Sequence, residues 1–121
     1  MKILVADDSK AMRMIVVRTL RQAGFGGHDI VEAENGREAL ELAAAQAPDL
    51  ILSDWNMPEL TGIQLLTSLR ARGDGTPFCF VTSEGSEEMR EQAASAGALG
   101  LIAKPFTAEA FSDVLSSVVT S

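Results

Sequence analysis

The sequence predicts an α/β domain built on a doubly wound, five-stranded parallel sheet of flavodoxin-like order 2-1-3-4-5, with five helices. The main observation is that five short apolar, β-favouring runs alternate with five stretches of helical periodicity, the pattern of a sheet covered on both faces. The second is the length: 121 residues suit one such domain, so we expect a single domain over residues 1–121.

Each predicted element follows from its local pattern. The strands are expected at residues 2–6, 29–33, 50–53, 78–81 and 99–103. The helices fill the gaps, at residues 9–23, 37–47, 62–71, 86–96 and 107–119. Asn35 with Glu38 resembles a capping box at the second helix, and Thr107 is a suitable N-cap for the fifth.

The first helix is expected to have two distinct faces. At 100° per residue, an inward stripe is predicted at Ala11, Met12, Ile15, Val16, Thr19 and Ala23. The opposite face would carry four basic residues, Lys10, Arg13, Arg18 and Arg21, together with the apolar Met14 and Val17. Apolar side chains set among solvated charges favour a docking surface.

Acidic residues follow two of the predicted strands. Asp7 and Asp8 close the first strand, and Asp54 closes the third. Strands one and three flank the switch point of this topology, where α/β folds bind ligands at the carboxyl edge. Clustered carboxylates resist ionising together unless a cation lies among them. Oxygen ligands of this kind favour Mg²⁺, so the sequence predicts a magnesium site.

The remaining strand ends add a hydroxyl and an ammonium group. Thr82 ends the fourth strand, and Lys104 with Pro105 follows the fifth. A carboxylate can act as a nucleophile toward a phosphoryl group, and such transfer requires mainly positioning and charge neutralisation. The edge therefore has the groups needed for phosphoryl transfer to an aspartate.

Composition excludes several other classes of protein. The net charge of −7 argues against nucleic-acid binding, which needs clustered Lys and Arg. No apolar run approaches the roughly 20 residues that span a bilayer, and no signal peptide is visible. The single cysteine, Cys79, lies in an apolar run and is expected to be inert core, which fits a cytoplasmic location.

The motifs at the strand ends resemble the signature of response-regulator receiver domains, and more closely of chemotaxis regulators in that family. They are Asp7-Asp8, the segment Asp54-Trp55-Asn56-Met57-Pro58, Thr82, and Lys104-Pro105-Phe106. The resemblance covers essentially the whole chain. It implies a phosphorylation-controlled signalling module of a two-component system, self-catalysed in its phosphotransfer and autodephosphorylation but not an enzyme acting on other substrates.

The resemblance also implies roles for residues at the site. Asp54 would accept the phosphoryl group from the phosphohistidine of a sensor kinase or phosphotransfer protein. Asp8 and Asp54 would hold Mg²⁺ directly, Asp7 through water, and Asn56 through its backbone carbonyl. Lys104 would pair with the phosphoryl oxygens, and Thr82 would move to hydrogen-bond them. The peptide bond before Pro105 is expected to be cis.

Five positions would set how the module behaves. Asn56 and Glu84 are expected to tune the lifetime of the phosphoryl group, toward seconds rather than hours. Many family members carry Tyr or Phe where this chain has Leu101, so the usual aromatic readout is in doubt. Met14 and Val17 would contact the kinase or phosphotransfer protein.

The output face is expected at the fourth helix, fifth strand and fifth helix. From Glu91 onward the only basic residue is Lys104, whereas Glu91, Glu109 and Asp113 remain. A neutral or basic partner is therefore more plausible than an acidic one. A monomer is expected, with self-association through this face left open.

Alternative functions remain open at this point. Within the receiver family, a phosphate sink or shuttle in a phosphorelay is as compatible with the motifs as a chemotaxis regulator. A haloacid-dehalogenase-type phosphatase also forms an aspartyl phosphate, but it expects an Asp-x-Asp arrangement that Asp7-Asp8-Ser9 lacks. A flavodoxin-like electron carrier is disfavoured by the acidic pair after strand one.

Overall fold

The computed structural model describes residues 1–25, 27–83, 85–103 and 106–116, and these form five strands alternating with five helices. The strands are β1 (Lys2–Ala6), β2 (Asp29–Ala33), β3 (Leu50–Ser53), β4 (Phe78–Thr82) and β5 (Gly100–Ala103). The helices are α1 (Lys10–Gln22), α2 (Gly36–Gln46), α3 (Gly62–Ala71), α4 (Glu87–Ser95) and α5 (Ala108–Leu115). Every strand pair is parallel and the order is β2-β1-β3-β4-β5, which confirms the predicted fold.

The element bounds differ from the predicted ones by one or two residues at several ends. β4 continues to Thr82, and β5 begins at Gly100 instead of Leu99. Ser9 and Ser86 were predicted inside helices but are N-caps, because their side-chain oxygens accept hydrogen bonds from backbone N–H groups three residues ahead. Thr107 caps the fifth helix in the same way, as predicted. The predicted end of the fifth helix, at residue 119, lies outside the described residues.

Capping defines the start of α2 and α3. The Asn35 side chain accepts a hydrogen bond from the Glu38 N–H at 2.7 Å, as predicted. At α3, Thr61 and Gln64 form a complete capping box that the sequence analysis did not single out. This box fixes the start of the helix that follows the loop after Asp54.

The core has two layers, one on each face of the sheet. The α2–α3–α4 layer packs on strand residues such as Leu4, Ile51 and Phe80. The α1–α5 layer packs on the alternating strand residues, including Leu52 and Cys79. Successive strand residues point to opposite faces, so a buried parallel sheet is apolar on both. Burial raises the pKa of the Cys79 thiol to about 12, in agreement with the predicted inert core role.

The predicted inward stripe of α1 is partly wrong. Ala11 and Ile15 are exposed, whereas Arg13, predicted on the outer face, is buried. Leu20, which the prediction omitted, is also fully buried. Positions 13, 16 and 20 share one face of a helix, so the rotation of α1 places Arg13 inward despite its charge.

Candidate functional site

The backbone of the sheet brings Asp7 and Asp54 together at its carboxyl edge. Ala6 of β1 pairs with Ser53 of β3, and each aspartate is the next residue along its strand. The Asp54 N–H donates to the Ala6 carbonyl at 2.9 Å, and the Asp7 N–H donates to the Ala33 carbonyl of β2 at 3.1 Å. Sheet pairing therefore continues through both aspartates and fixes where their side chains begin.

Asp8 completes an acidic cluster with these two residues. Ligand oxygens of Asp7, Asp8 and Asp54 all lie within 4.8 Å of one another. Asp7 is buried, Asp54 is partly buried and Asp8 is exposed, so the cluster opens to solvent on one side. Three carboxylates in this arrangement could hold a divalent cation.

Two carboxylates of the cluster have raised pKa values. Burial is the largest cause that raises the pKa of Asp7, to about 6, and the charges of Asp54 and Asp8 raise it further. Burial also raises the pKa of Asp54, with repulsion from Asp8 as a second cause. Backbone N–H groups oppose both shifts without cancelling them. The site thus disfavours negative charge until a cation enters, which is the electrostatic condition of a metal site.

Backbone donors orient the two buried carboxylates. The Ser9 N–H donates to Asp7 Oδ1 at 2.8 Å, and the Trp55 N–H donates to Asp54 Oδ1 at 2.8 Å. Ser9 also caps α1, so the helix start and the orientation of Asp7 depend on the same turn.

The loop after Asp54 is packed tightly against the start of α3. The Gly62 N–H donates to the Trp55 carbonyl at 2.9 Å. A Cβ atom on Gly62 would lie 2.3 Å from the Asp54 carbonyl oxygen and 2.7 Å from Phe80 Cε1. The Trp55 ring packs on Phe80 with ring centroids 4.8 Å apart. Only glycine fits at position 62, and its small size lets the start of α3 lie directly against the Asp54 carbonyl and Phe80 of β4.

Other predicted site residues lie on the same edge or outside the described residues. Thr82 is buried at the last position of β4 and pairs with Ala103, the residue before Lys104. Asn56 is exposed, two residues after Asp54. Glu84, Lys104 and Pro105 are outside the described residues, and so is the expected cis peptide bond.

Arg13 is the residue near the site whose position the sequence analysis missed. Its NH1 donates to the main-chain carbonyl of Asp7 at 2.7 Å, and its Nε donates to Glu32 Oε1 of β2 at 2.9 Å. The predicted inward stripe included the exposed Ala11 and Ile15 and so placed Arg13 outside, whereas its spacing to Val16 and Leu20 could have placed it inside. The guanidinium thus reaches the site from beneath α1.

Leu101 occupies an inward position beneath the loop between β4 and α4. Its side chain is 5% exposed, and its main-chain carbonyl accepts a hydrogen bond from Arg90 NH1 of α4 at 3.0 Å. A Cβ atom on Gly85 would lie 2.9 Å from Leu101 Cδ2 and 2.8 Å from the Ala103 Cβ. The segment that follows Thr82 is therefore in close contact with β5.

The exposed side of α1 carries a shallow groove. Met14 is 54% exposed and Val17 is partly buried, as the predicted docking surface requires. The groove has a volume of about 210 Å³ and is lined by Met14, Val17, Arg18, Arg21 and Glu32. It combines an apolar floor with two cations and one carboxylate. We call it the α1 groove.

Comparison with known proteins decides the family. The profile of the response regulator receiver domain matches residues 3–116. The chain belongs to this family. A receiver domain is a signalling module and not a metabolic enzyme, which confirms the predicted class of function. The haloacid-dehalogenase and electron-carrier alternatives are thereby set aside.

Individual relatives of this receiver domain match over nearly its whole length. The chemotaxis protein CheY1 of Helicobacter pylori is 40% identical, with 98% of this chain and 97% of the relative covered. The chemotaxis protein CheY of Pseudomonas aeruginosa is 38% identical, with coverage of 98% and 95%. The solved structure of CheY4 of Vibrio cholerae superimposes with a TM-score of 0.82 at 36% identity and covers 98% of both chains.

Among the residues described, no helix combines the length and the hydropathy that crossing a bilayer requires.

Proposed function

We propose that this receiver domain, acting as a single domain in the cytoplasm, accepts a phosphoryl group on Asp54 and passes a chemotaxis signal to another protein. The observation that carries the proposal is the cluster of Asp7, Asp8 and Asp54 around one opening at the carboxyl edge of the sheet. The donor would be a phosphohistidine on a sensor histidine kinase or phosphotransfer protein. Similarity over the full chain to chemotaxis proteins supports the pathway.

The residues of the site fit Mg²⁺. Asp8 and Asp54 would bind it directly, Asp7 through water, and Asn56 through its backbone carbonyl. Carboxylate and carbonyl oxygens are its preferred ligands. Burial first, and repulsion among the carboxylates second, raise the pKa values of Asp7 and Asp54, and a cation offsets both effects. When bound, the ion supplies charge neutralisation for the transferring phosphoryl oxygens.

The chain's own groups would carry out the remaining chemistry. An Asp54 carboxylate oxygen attacks phosphorus, forming the acyl phosphate bond as the bond from phosphorus to the donor nitrogen breaks. Lys104 would neutralise the phosphoryl oxygens and Thr82 would donate a hydrogen bond to one of them. Asn56 and Glu84, two residues beyond Asp54 and Thr82, would tune how fast water removes the group. The peptide bond between Lys104 and Pro105 would be cis.

The signal would leave through the segment after Thr82. Movement of Thr82 toward a phosphoryl group pulls on this segment, and Gly85 lies in it against Leu101. In relatives with an aromatic residue at this position the ring would turn inward, whereas Leu101 is already buried. The element displaced would instead be α4, which is linked to β5 by the hydrogen bond from Arg90 to the Leu101 carbonyl. The output partner would bind the α4–β5–α5 face. Its chemistry would be neutral or basic, because Glu109 and Asp113 of α5 are exposed there.

The α1 groove is proposed as the docking site of the kinase or phosphotransfer protein. The double substitution Met14→Ser and Val17→Ser should slow phosphotransfer from that protein several-fold, because it removes the apolar floor. Phosphorylation by a small phosphodonor should be unchanged. Leu99→Ser removes an exposed apolar side chain from the amino end of β5 and should slow neither reaction. Equal slowing of both reactions by the double variant would contradict docking at this groove.

Beryllofluoride, which mimics an aspartyl phosphate, tests the proposal as a whole. With Mg²⁺ it should change the fluorescence of Trp55, whose main-chain N–H donates to the Asp54 carboxylate. Asp54→Ala should abolish the change. A protein captured only by the beryllofluoride form would be the output partner of a signalling regulator. If the proposal is wrong, the wild type and Asp54→Ala will respond alike.

The beryllofluoride form also distinguishes a phosphate sink from a signalling regulator. A sink should be phosphorylated and dephosphorylated without gaining a partner in the beryllofluoride form. Size-exclusion chromatography of that form, compared with the unmodified protein, tests self-association through the output face. We expect a monomer in both.

A further inference from the structure

A buried arginine outside the proposed ligand set holds the main chain of the metal site. Arg13 is 7% exposed, and two of its nitrogens are engaged at once: NH1 with the Asp7 carbonyl at 2.7 Å, and Nε with Glu32 Oε1 at 2.9 Å. Since the Asp7 N–H is itself bonded to Ala33 of β2, the two peptide units that flank the Asp7 Cα are each held by one hydrogen bond. The network closes a ring from β1 through α1 to β2.

Stability alone is a poor explanation for this arginine. Burying a guanidinium has a large desolvation cost, and its Glu32 partner is about half exposed, at 49% of its side chain. Apolar residues of similar volume at such positions are often neutral or stabilising. The feature that an apolar side chain cannot reproduce is the donor fork, which binds a carbonyl and a carboxylate in one fixed geometry.

The location of the fork indicates what it positions. Asp7 and Asp8 are consecutive, so the carbonyl that Arg13 holds belongs to the peptide bond joining the two carboxylates. Rotation of this peptide would move both side chains relative to Asp54. Groups one step beyond metal ligands commonly change metal affinity by about 10- to 100-fold when mutated, because they orient the ligands.

We propose that Arg13 is a positioning residue for the acidic site, and that it sets the placement of Asp7 and Asp8 by holding the peptide between them. This inference rests on the proposed function of that site. It also joins the site to the α1 groove, because Glu32 both binds Arg13 and lines the groove. A partner seated in the groove would thus contact the residue that anchors Arg13.

Mg²⁺ titration of Trp55 fluorescence in Arg13→Met provides the first test. Met fills a similar volume without donors, so the Kd for Mg²⁺ should rise about tenfold. Arg13→Lys should fall between Met and wild type, because one ammonium cannot reach both acceptors in the same geometry. Val16→Ala is the matched control: it removes a buried side chain of the same helix, 2% exposed, and should leave the Kd within twofold.

Hydrogen exchange of the metal-free protein provides a second test that needs no ion. The Asp7 amide, bonded to Ala33, lies one peptide unit before the one that Arg13 holds, so loss of the Arg13 bond should loosen it as well. In Arg13→Met this amide should exchange at least fivefold faster than in Val16→Ala. Equal exchange in these two variants, or an equal Kd in Arg13→Met and wild type, would overturn the positioning role. If wild type shows no response to Mg²⁺, the proposed metal site fails. The exchange comparison then still decides whether Arg13 holds the main chain at Asp7.

Discussion

Replacing Asp7 by Asn should stabilise the metal-free protein at neutral pH. Burial raises the pKa of Asp7 from 3.8 to about 6. The folded state therefore binds this proton more tightly than the unfolded chain does, and the stability that Asp7 contributes is present below pH 3.8 and is lost as pH rises through 6. At 1.36 kcal/mol for each unit of pKa, the difference between 3.8 and about 6 corresponds to a free energy of about 3 kcal/mol. Asn cannot ionise, and its oxygen can still accept the Ser9 N–H.

Urea unfolding in EDTA at two pH values measures this effect. At pH 7.5 the free energy of unfolding of Asp7→Asn should exceed that of wild type by about 2–3 kcal/mol, and at pH 4 the difference should shrink toward zero. Asp29→Asn, at an exposed aspartate of β2, should change stability by about 0.5 kcal/mol or less. An Asp7→Asn protein no more stable than wild type at pH 7.5 would refute the reasoning.

Two further predictions follow from the packing. Gly62→Ala should lower the free energy of unfolding by about 2 kcal/mol or more, because its Cβ would overlap the Asp54 carbonyl and Phe80. Gly75→Ala, with no heavy atom within 4 Å of its Cβ, should change it by about 0.5 kcal/mol or less; equal urea midpoints for the two variants would contradict the close approach. Cys79 should not react with a thiol reagent at pH 8 until urea unfolds the protein, since burial suppresses its thiolate, and immediate reaction would be inconsistent with the core position.

The sequence predicted the sheet, its order and the location of the acidic cluster because these depend on strong local patterns. Continuous apolar runs read directly as buried strands, and an aspartate directly after a strand must lie at the carboxyl edge. Helix ends were less accurate, because Ser9 and Ser86 favour the N-cap over the first helical turn.

The role of Arg13 escaped the sequence analysis because the predicted inward stripe of α1 was rotated away from the true one. It included Ala11 and Ile15, which are exposed, and omitted Leu20, so the spacing of Arg13 from Val16 and Leu20 was not used. In its buried position the guanidinium requires two acceptors, the Asp7 carbonyl directly after β1 and the Glu32 carboxylate of β2. Only the folded sheet brings these two acceptors together. Likewise, the contact between Gly85 and Leu101 joins a loop to a strand about 16 residues on, which no local pattern encodes.

Locating the phosphoryl group by tandem mass spectrometry tests the central claim most directly. The protein is incubated with a small phosphodonor, with Mg²⁺ or with EDTA, and Asp54→Asn serves as the control. We expect one phosphoryl group, bound to Asp54 as an acyl phosphate that is labile in both acid and base and is cleaved by hydroxylamine. It should form with Mg²⁺ and be absent both with EDTA and in the folded Asp54→Asn protein. A phosphoryl group on another residue, or equal labelling of Asp54→Asn, would contradict it.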